Sequence, residues 1–481
     1  MWKSLCTFLK RNGSSRRRSG AWTAPEQLEC RMLPTGHILA VVRCGNLIVH
    51  GDNVGADIEV SQIRAGQITL TGHNTTINGS MKPMTFSNVT RDLRINLGSG
   101  NDSVAFNEST PIKIRGNLSV QGGHGDNQVS TISGSPGSLN VGGQLTIVNL
   151  QAGTSLTTLY NINVNGDVKI VNQGGNCMVA IDVNSQGYDL PPQNTIRGNL
   201  KIVNGGGDIA LVNLQSLDVR GSVYITNSSG TALVEIGGHD PLDSHRHSKI
   251  AGGLQIVNGP GLVSQVGIRS IDVRRNVYVR NEGHDMSNAI FEASIIGGSV
   301  AVTNLSGQRN QTHFFETDIG QNLRVKEAGP GNSFFAFQSS NVRGTTHLWQ
   351  GNGENTVYFA NATFGRRFQA RTGGGNDMLG LGTTRFDFGY EQRYGVVAIN
   401  DEGAINIEQR SETRAATVAA GSVTFNGRVR INLGSGDDTL ELATGAKVTF
   451  RKFAKINGRK GQNTANINHA NVVNSPKLRH F

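Results

Sequence analysis

Short segments in which apolar and polar residues alternate recur along this chain. In GNLKIVN (residues 198–204), Leu200 and Ile202 fall on one side of an extended backbone, and Lys201 and Val203 fall on the other. Because successive side chains of a strand point to opposite faces, this alternation predicts a β-strand with one buried face. Variants of the segment begin at Gly143, Gly166, Gly221, Gly252, Arg275, Gly298 and, in a weaker form, Gln321.

The copies follow a regular spacing. Their first apolar residues are Leu118, Leu145, Val168, Leu200, Val223, Leu254, Val277, Val300 and Leu323. The successive spacings are 27, 23, 32, 23, 31, 23, 23 and 23 residues, so insertions interrupt a basic period of 23. A fixed period of this length indicates structural units stacked one on another.

Each unit is predicted to contain three short strands. A second apolar stretch follows the first, as at residues 209–214, and a third precedes the next unit, as at residues 217–219. A 23-residue unit is too short for a strand, a crossover helix and another strand. Three strands wound into a coil satisfy the length, and parallel crossovers are right-handed. The repeat therefore resembles the right-handed parallel β-helix, an all-β solenoid.

Asparagine occupies one fixed position in seven of these coils. The residues are Asn149, Asn172, Asn204, Asn227, Asn258, Asn281 and Asn304, each four positions after the first apolar residue of its strand. Stacked amides about 4.8 Å apart both donate and accept along the column. Asparagine ladders of this kind are known from parallel β-helices, so these residues are predicted to be structural.

The repeat also predicts how the chain is organised. We expect a basic leader at 1–36, a capping β segment at 37–92, the β-helix at 93–395 with insertions near 184–195 and 238–249, and C-terminal coils with a cap at 396–481.

Charge adds little to this picture. The net charge is +10, and residues 1–43 contribute +6 of it, which leaves +4 for the other 438 residues. A basic leader is therefore favoured over a basic binding face, and nucleic acid is not an expected partner. No apolar run reaches the roughly 18 residues of a transmembrane segment. The four cysteines are too few and too scattered for a disulfide framework.

A short motif in the leader bears on localisation. The segment APEQLECRMLPTG (residues 24–36) follows an arginine-rich run. Leu28, Glu29, Arg31 and Leu33 match the LEPR-XLL motif of bacterial surface and exported proteins, although a cysteine replaces the family's proline and a proline its final leucine. The resemblance implies export to the cell surface or beyond, and it implies no activity.

Three glycine-rich turns resemble the kernel of the calcium-binding nonapeptide roll. Each has the pattern GxGxDxU, and their carboxylates belong to Asp102, Asp377 and Asp438. None is followed by a second copy nine residues later, which the roll requires. A glycine-rich turn is the favoured interpretation. The three aspartates stay weak calcium candidates, and no other cofactor is expected.

The outward residues of the repeated strand are candidates for ligand contact. They are Thr146, Lys169, Lys201, Tyr224, Gln255, Tyr278, Ala301 and Arg324, and none is a carboxylate. Without a carboxylate, this face lacks the acid and base that glycan cleavage needs. Lys201, Tyr224 and Tyr278 are candidates for contact with a glycan, and a solvated sheet face is the alternative.

Two insertions bring further polar residues together. Tyr188 and Asp189 belong to the first, and Asp243, His245 and His247 to the second. Three interpretations stay open: a transition-metal or polar site, a contact with a partner or glycan, and a solvated loop.

These observations predict a non-catalytic, secreted or cell-surface β-helix scaffold that is adhesive or matrix-forming. Its expected partner is a glycan of the cell envelope or the extracellular space. The alternative is a β-helix enzyme that binds or degrades polysaccharide.

Overall fold

The computed structural model describes residues 36–107, 109–131, 138–150, 153–182, 194–237, 248–382 and 422–481, together with the backbone of residues 386–399 and 405–418. Within these residues the chain is a parallel β-solenoid, so the predicted fold class is confirmed. A complete coil contributes one strand to each of three faces, which we call sheet 1, sheet 2 and sheet 3 in chain order. Neighbouring strands in each sheet come from successive coils and pair in parallel.

Sheet 1 contains the repeated segment that the sequence reveals. Its strands are Asn46–His50, Leu93–Asn96, Leu118–Gly122, Leu145–Asn149, Val168–Gly174, Leu200–Gly206, Val223–Asn227, the first parts of Leu254–Arg269 and Val277–Glu292, Val300–Asn304, Leu323–Glu327, Thr346–Gln350, Phe368–Arg371, Val429–Asn432, Ala454–Asn457 and Lys477–Arg479. At about 4.8 Å per strand these sixteen strands extend over about 70 Å.

Sheet 2 follows sheet 1 in each coil and is continuous with it where two long strands run through both. Its strands are Asp57–Arg64, Asp102–Asn107, Asn127–Thr131, Thr154–Tyr160, Asn176–Asp182, Ile209–Leu214, Thr231–Gly237, the second parts of Leu254–Arg269 and Val277–Glu292, Arg309–Phe315, Asn332–Gln338, Asn355–Ala360, Met378–Leu381, Thr439–Leu442 and Thr464–Ile467.

Sheet 3 has 14 short strands and closes each coil. They are Ile112–Ile114, Leu139–Val141, Ile162–Val164, Asn194–Ile196, Leu217–Val219, Ser248–Ile250, Ile271–Val273, Ile295–Ile296, Asp318–Ile319, Asn341–Val342, Ala362–Phe364, Val423–Phe425, Val448–Phe450 and Val472–Val473. A short 3-10 helix, His469–Asn471, precedes the last of them.

Antiparallel strands cover the N-terminal end of the stack. Gly36–Arg43 pairs with Asn46–His50, the first strand of sheet 1, and Gln67–Gly72 pairs with Asp57–Arg64, the first strand of sheet 2. Thr75–Ile77 and Met84–Phe86 extend this region. These pairings satisfy the backbone groups that a first coil would otherwise present to solvent as open sheet edges.

The interior is a continuous apolar column with an aromatic section toward the C-terminus. Phe364, Phe425 and Phe450 occupy the same position in three successive strands of sheet 3. Their ring centroids are 5.2 and 5.3 Å apart with nearly parallel planes. Stacked aromatic rings of this kind add to the free energy gained by burying apolar area. Sheet 3 is thus fixed in register by ring stacking in these coils.

The asparagine ladder is present as predicted. The side-chain Nδ2 of Asn149 donates to Oδ1 of Asn172 at 2.8 Å, and the same contact repeats up the column at 2.8, 2.8, 2.7, 2.9 and 3.1 Å. All seven amides are buried. The column then continues through Glu327, which pairs with Asn304, and Gln350, which pairs with Glu327; neither was predicted. The role of these side chains is to satisfy one another inside the bend between sheets 1 and 2.

A long antiparallel hairpin interrupts the coils. Its strands are Phe386–Ile399 and Ile405–Val418. The stack resumes after it without loss of register, because Ala362 pairs with Val423 and Met378 pairs with Thr439. The sequence analysis did not predict this hairpin.

Candidate functional site: the outer face of sheet 1

Strand register places two columns of outward side chains on sheet 1. The first column is Ile48, Arg94, Ser119, Thr146, Lys169, Lys201, Tyr224, Gln255, Tyr278, Ala301, Arg324, His347, Gln369, Arg430, Lys455 and Lys477. Alternating buried residues of the same strands point into the core, so this column faces outward. Lys201, Tyr224 and Tyr278, which the sequence singles out, all lie in it.

The second column lies two residues further along each strand. It is His50, Asn96, Gln121, Val148, Val171, Val203, Thr226, Val257, Arg280, Thr303, Lys326, Trp349, Arg371, Asn432, Asn457 and Arg479. We call the two columns together the sheet 1 face. Sequence reasoning followed the first column only from Thr146 to Arg324, because the repeat weakens after it.

The sheet 1 face carries eleven Lys or Arg residues and not one Asp or Glu among its thirty-two positions. Two of the cations are neutralised from outside the face. Arg94 pairs with Asp92 at 2.7 Å, and Arg280 pairs with Glu282. The other nine make no ion pair with any carboxylate that the structure describes. These nine uncompensated cations lie on the two strands of Lys169 and Lys201 and on five strands from Leu323–Glu327 to Lys477–Arg479.

The other two sheets have a different charge. The outward column of sheet 3 contains Lys113 and Lys249 but also three aspartates. The two central outward columns of sheet 2 begin at Asp57 and Glu59, also contain Glu235 and Glu441, and have no Lys or Arg among the described residues. Outside the leader, unpaired positive charge at these outward positions is therefore concentrated on sheet 1, whereas the carboxylates lie on sheets 2 and 3. The sequence analysis, which favoured a basic leader over a basic binding face, did not predict this distribution of charge.

A row of arginines adjoins the sheet 1 face. Each follows the last residue of a sheet 3 strand, at the turn that leads into sheet 1, and each is exposed. They are Arg115, Arg197, Arg220, Arg274, Arg343 and Arg451. The basic surface therefore extends from the sheet 1 face around this corner.

One cleft lies on the N-terminal half of the face. It has a volume of about 230 Å³ and is lined by Lys169, Lys201 and Tyr224 together with Gln144, Thr146, Asp167 and Asn199. Lys169 and Lys201 are in-register neighbours, so two ammonium groups face the same space. The nearby carboxylate of Asp167 is engaged, because it accepts hydrogen bonds from the Asn199 backbone at 2.7 Å and side chain at 3.2 Å. The cleft offers cations, amides and one exposed aromatic ring to a ligand.

A second cleft, of about 440 Å³, lies further along at Trp349. Lys326 and Arg371 flank Trp349 in the second column. The guanidinium of Arg324 lies 4.9 Å from the centroid of the Trp349 ring system, and the His347 ring stacks on it at 5.3 Å. This cleft therefore combines an aromatic ring with nearby positive charge. No sequence motif indicated Trp349, since its strand THLWQ departs from the repeat.

The positive field is reflected in two pKa values. Burial, reinforced by the cations Arg367 and Arg324, lowers the pKa of His347. At the C-terminal end, desolvation together with Arg479, Arg430 and Lys477 lowers the pKa of Lys455. Cations crowded in this way favour the binding of anions, which would relieve their mutual repulsion.

The three aspartates of the GxGxDxU turns lie elsewhere. They are buried at the start of sheet 2, where each accepts a backbone N–H from a neighbouring coil. Oδ1 of Asp102 accepts from Ala56, Oδ1 of Asp377 from Asn355, and Oδ1 of Asp438 from Asp377. Burial raises the pKa of Asp102 and of Asp438 to about 6. These carboxylates join one coil to the next.

Asp377 and Asp438 lie in successive coils, where Oδ1 of Asp438 accepts the backbone N–H of Asp377. Among the described residues, no group of three His, Cys, Asp or Glu side chains is close enough to hold a metal ion. Tyr188, Asp189, Asp243, His245 and His247, which the sequence also proposes as ligand contacts, lie outside the described residues, as does the leader motif.

Comparisons with protein-family models, with curated proteins and with solved structures found no match. No helix in the described part of the chain is long and apolar enough to cross a membrane.

Proposed function

We propose that this protein is a non-catalytic scaffold of the cell surface or the extracellular space, adhesive or matrix-forming, that presents the sheet 1 face along a rod. The observation that carries the proposal is the lack of any carboxylate at the thirty-two outward positions of that face. Glycoside hydrolysis uses a pair of carboxyl groups, which this face does not supply. A face of cations, amides and hydroxyls supports binding without cleavage.

Three carboxylates outside the sheet 1 face are engaged in contacts between neighbouring coils. Glu235 and Glu292 both contact the buried guanidinium of Arg269, at 2.6 and 3.0 Å. Glu327 is buried in the ladder column, where it accepts a hydrogen bond from Gln350. Each of these groups is held by an interaction that joins neighbouring coils. Their geometry supports a structural role, in agreement with the proposal.

Location is the second part of the proposal, and the leader motif supports it. The segment around Leu28, Glu29 and Arg31 resembles the LEPR-XLL motif of bacterial surface and exported proteins. Antibodies against the coils should therefore label intact cells, and protease added outside the cells should remove the label. Labelling only after the cells are opened would contradict this location.

An assay for polysaccharide cleavage tests the proposal that the protein is not a catalyst. The purified chain is incubated with neutral and acidic polysaccharides, and new reducing ends, unsaturated products and chain length are measured. We expect all three to stay at the level of a sample without protein. Shortening of any polysaccharide would instead support the rival function, a polysaccharide-degrading β-helix enzyme.

A further inference from the structure

We propose that the sheet 1 face binds one extended acidic polysaccharide, laid along the rod across successive coils. This inference rests on the proposed scaffold function and names its partner. It begins from the charge pattern: nine cations without a described carboxylate partner lie on a single face, while sheets 2 and 3 carry acids. Electrostatic complementarity of this kind selects a polyanion and guides its approach.

The spacing of the cations favours a linear chain over a compact anion. Lys169 and Lys201 lie on adjacent strands, and Arg324, Lys326 and Arg371 follow within the next seven. Adjacent strands are about 4.8 Å apart, so these groups extend over about 40 Å. A small anion would occupy one pair of cations, whereas an extended polymer reaches all of them.

The neutral residues between the cations indicate sugar. The positions include Ser119, Thr146, Thr226, Gln255 and Thr303, whose hydroxyl and amide groups pair with sugar hydroxyls. Both clefts contain an aromatic ring, Tyr224 in one and Trp349 in the other, against which the C–H face of a pyranose packs. A polysaccharide with carboxylate or sulfate groups uses the cations, the amides and the rings together.

Single-stranded nucleic acid is the competing polyanion, and the face suits it less well. Proteins that bind single-stranded nucleic acid stack successive bases on aromatic side chains. The sheet 1 face has three large aromatic residues, Tyr224, Tyr278 and Trp349, and two strands lie between the strand of Tyr278 and that of Trp349. Such spacing provides no continuous stacking platform.

Binding of the full chain is measured against four probes: polygalacturonate, dextran sulfate, neutral dextran and single-stranded DNA. We expect at least one acidic polysaccharide to bind, neutral dextran not to bind, DNA to bind more weakly, and affinity to fall as salt is raised. Polygalacturonate and dextran sulfate distinguish carboxylate from sulfate recognition, and either one supports the proposal. Binding of neutral dextran with equal affinity, tighter binding of DNA, or no binding of either acidic polysaccharide would overturn it.

A matched pair of variants locates the site. The test variant replaces four lysines of the face by glutamine: K169Q, K201Q, K326Q and K477Q. The control makes the same change at four exposed lysines on other surfaces: K82Q, K113Q, K249Q and K447Q. Both lose the same charge at surface positions, so circular dichroism should show intact folds. We expect about a tenfold loss of affinity for the test variant only. Equal losses in both variants would show that net charge, and not this face, binds the polymer.

The outcomes also separate this inference from the scaffold proposal. A protein that labels the cell surface but binds no acidic polysaccharide keeps its scaffold function and loses this partner. A protein that binds acidic polysaccharide through the four lysines and shortens it keeps the partner and loses the non-catalytic function.

Discussion

Nε2 of Gln350 donates a hydrogen bond of 2.9 Å to Oε2 of Glu327, in the column where asparagine amides stack in the preceding coils. Burial raises the pKa of Glu327 to about 8. In this column a buried carboxyl group therefore follows the buried asparagine amides. A protonated carboxyl group, like an amide, both donates and accepts hydrogen bonds.

Replacement of Glu327 by Gln should therefore stabilise the protein at high pH and change little at low pH. Because the folded-state pKa lies above the ordinary value of 4.5, the stability that Glu327 contributes is complete below about pH 4.5 and is lost as the pH rises through about 8. The variant has no such loss. Its Tm should exceed that of the parent by at least about 2 °C at pH 9.

The control for this prediction is Glu354→Gln, which changes an exposed glutamate in the turn after Gln350. Thermal unfolding of both variants from pH 5 to pH 9 measures the difference. A Tm difference for Glu327→Gln that stays constant over this range would show that Glu327 is already ionised in the folded protein.

The ladder itself is tested at Asn227. Its Oδ1 accepts from Asn204, and its Nδ2 donates to Asn258. Asn227→Leu leaves both neighbours with an unmade hydrogen bond in a buried bend, so the free energy of unfolding should fall by about 1–3 kcal/mol. Asn163→Leu, on the exposed face of sheet 3, is the control and should have little effect. Equal denaturation midpoints for the two variants would contradict the prediction.

Removal of calcium should leave the fold intact. Asp102, Asp377 and Asp438 each accept a backbone hydrogen bond from a neighbouring coil, and each GxGxDxU turn lacks the second copy that completes a calcium roll. We expect a chelator to leave the circular dichroism of the sheets unchanged and to move the Tm little. If the sheet signal disappears with chelator and returns with calcium, the fold depends on the ion.

The aromatic column should be sensitive to truncation. Phe425 stacks between Phe364 and Phe450, and Phe425→Ala would leave a cavity between them. The expected loss in the free energy of unfolding is about 3–5 kcal/mol. Phe453→Ala removes a ring that is 62% exposed and should cost far less. Chemical denaturation compares the two, and a similar cost at both positions would mean that the stack contributes nothing beyond an exposed ring.

Sequence alone predicts the parts of this fold that repeat as residue types. Leu200, Val223 and Leu254 mark the buried start of sheet 1 strands, and the asparagine four positions later marks the bend. Both signals survive the insertions because each coil restores the same register. Glu327 and Gln350 do not match the asparagine pattern in the sequence. Their place in the same buried column becomes evident only from the strand pairing in the structure.

The concentration of positive charge on sheet 1 could not be predicted from the sequence for a different reason. Lys326 and Arg371 are 45 positions apart in the chain, and only the strand pairing places both beside Trp349. The repeat is weaker toward the C-terminus, so the strand register cannot be read from the sequence there. An error of one residue in register would assign each side chain to the opposite face of the sheet, because the strand period is two. The hairpin formed by Phe386–Ile399 and Ile405–Val418 has no counterpart in the described parts of the other coils, so the repeat did not predict it.

The constant register of the coils has a consequence for how such a molecule can change over generations. Val277, Val300 and Leu323 hold the same place in three coils that are 23 residues apart. Loss or duplication of one such stretch of gene would give each remaining strand a neighbour of the same kind, since coils touch only those before and after them. The length of the rod is therefore a trait that can vary in steps of about 4.8 Å, without a new fold at any step.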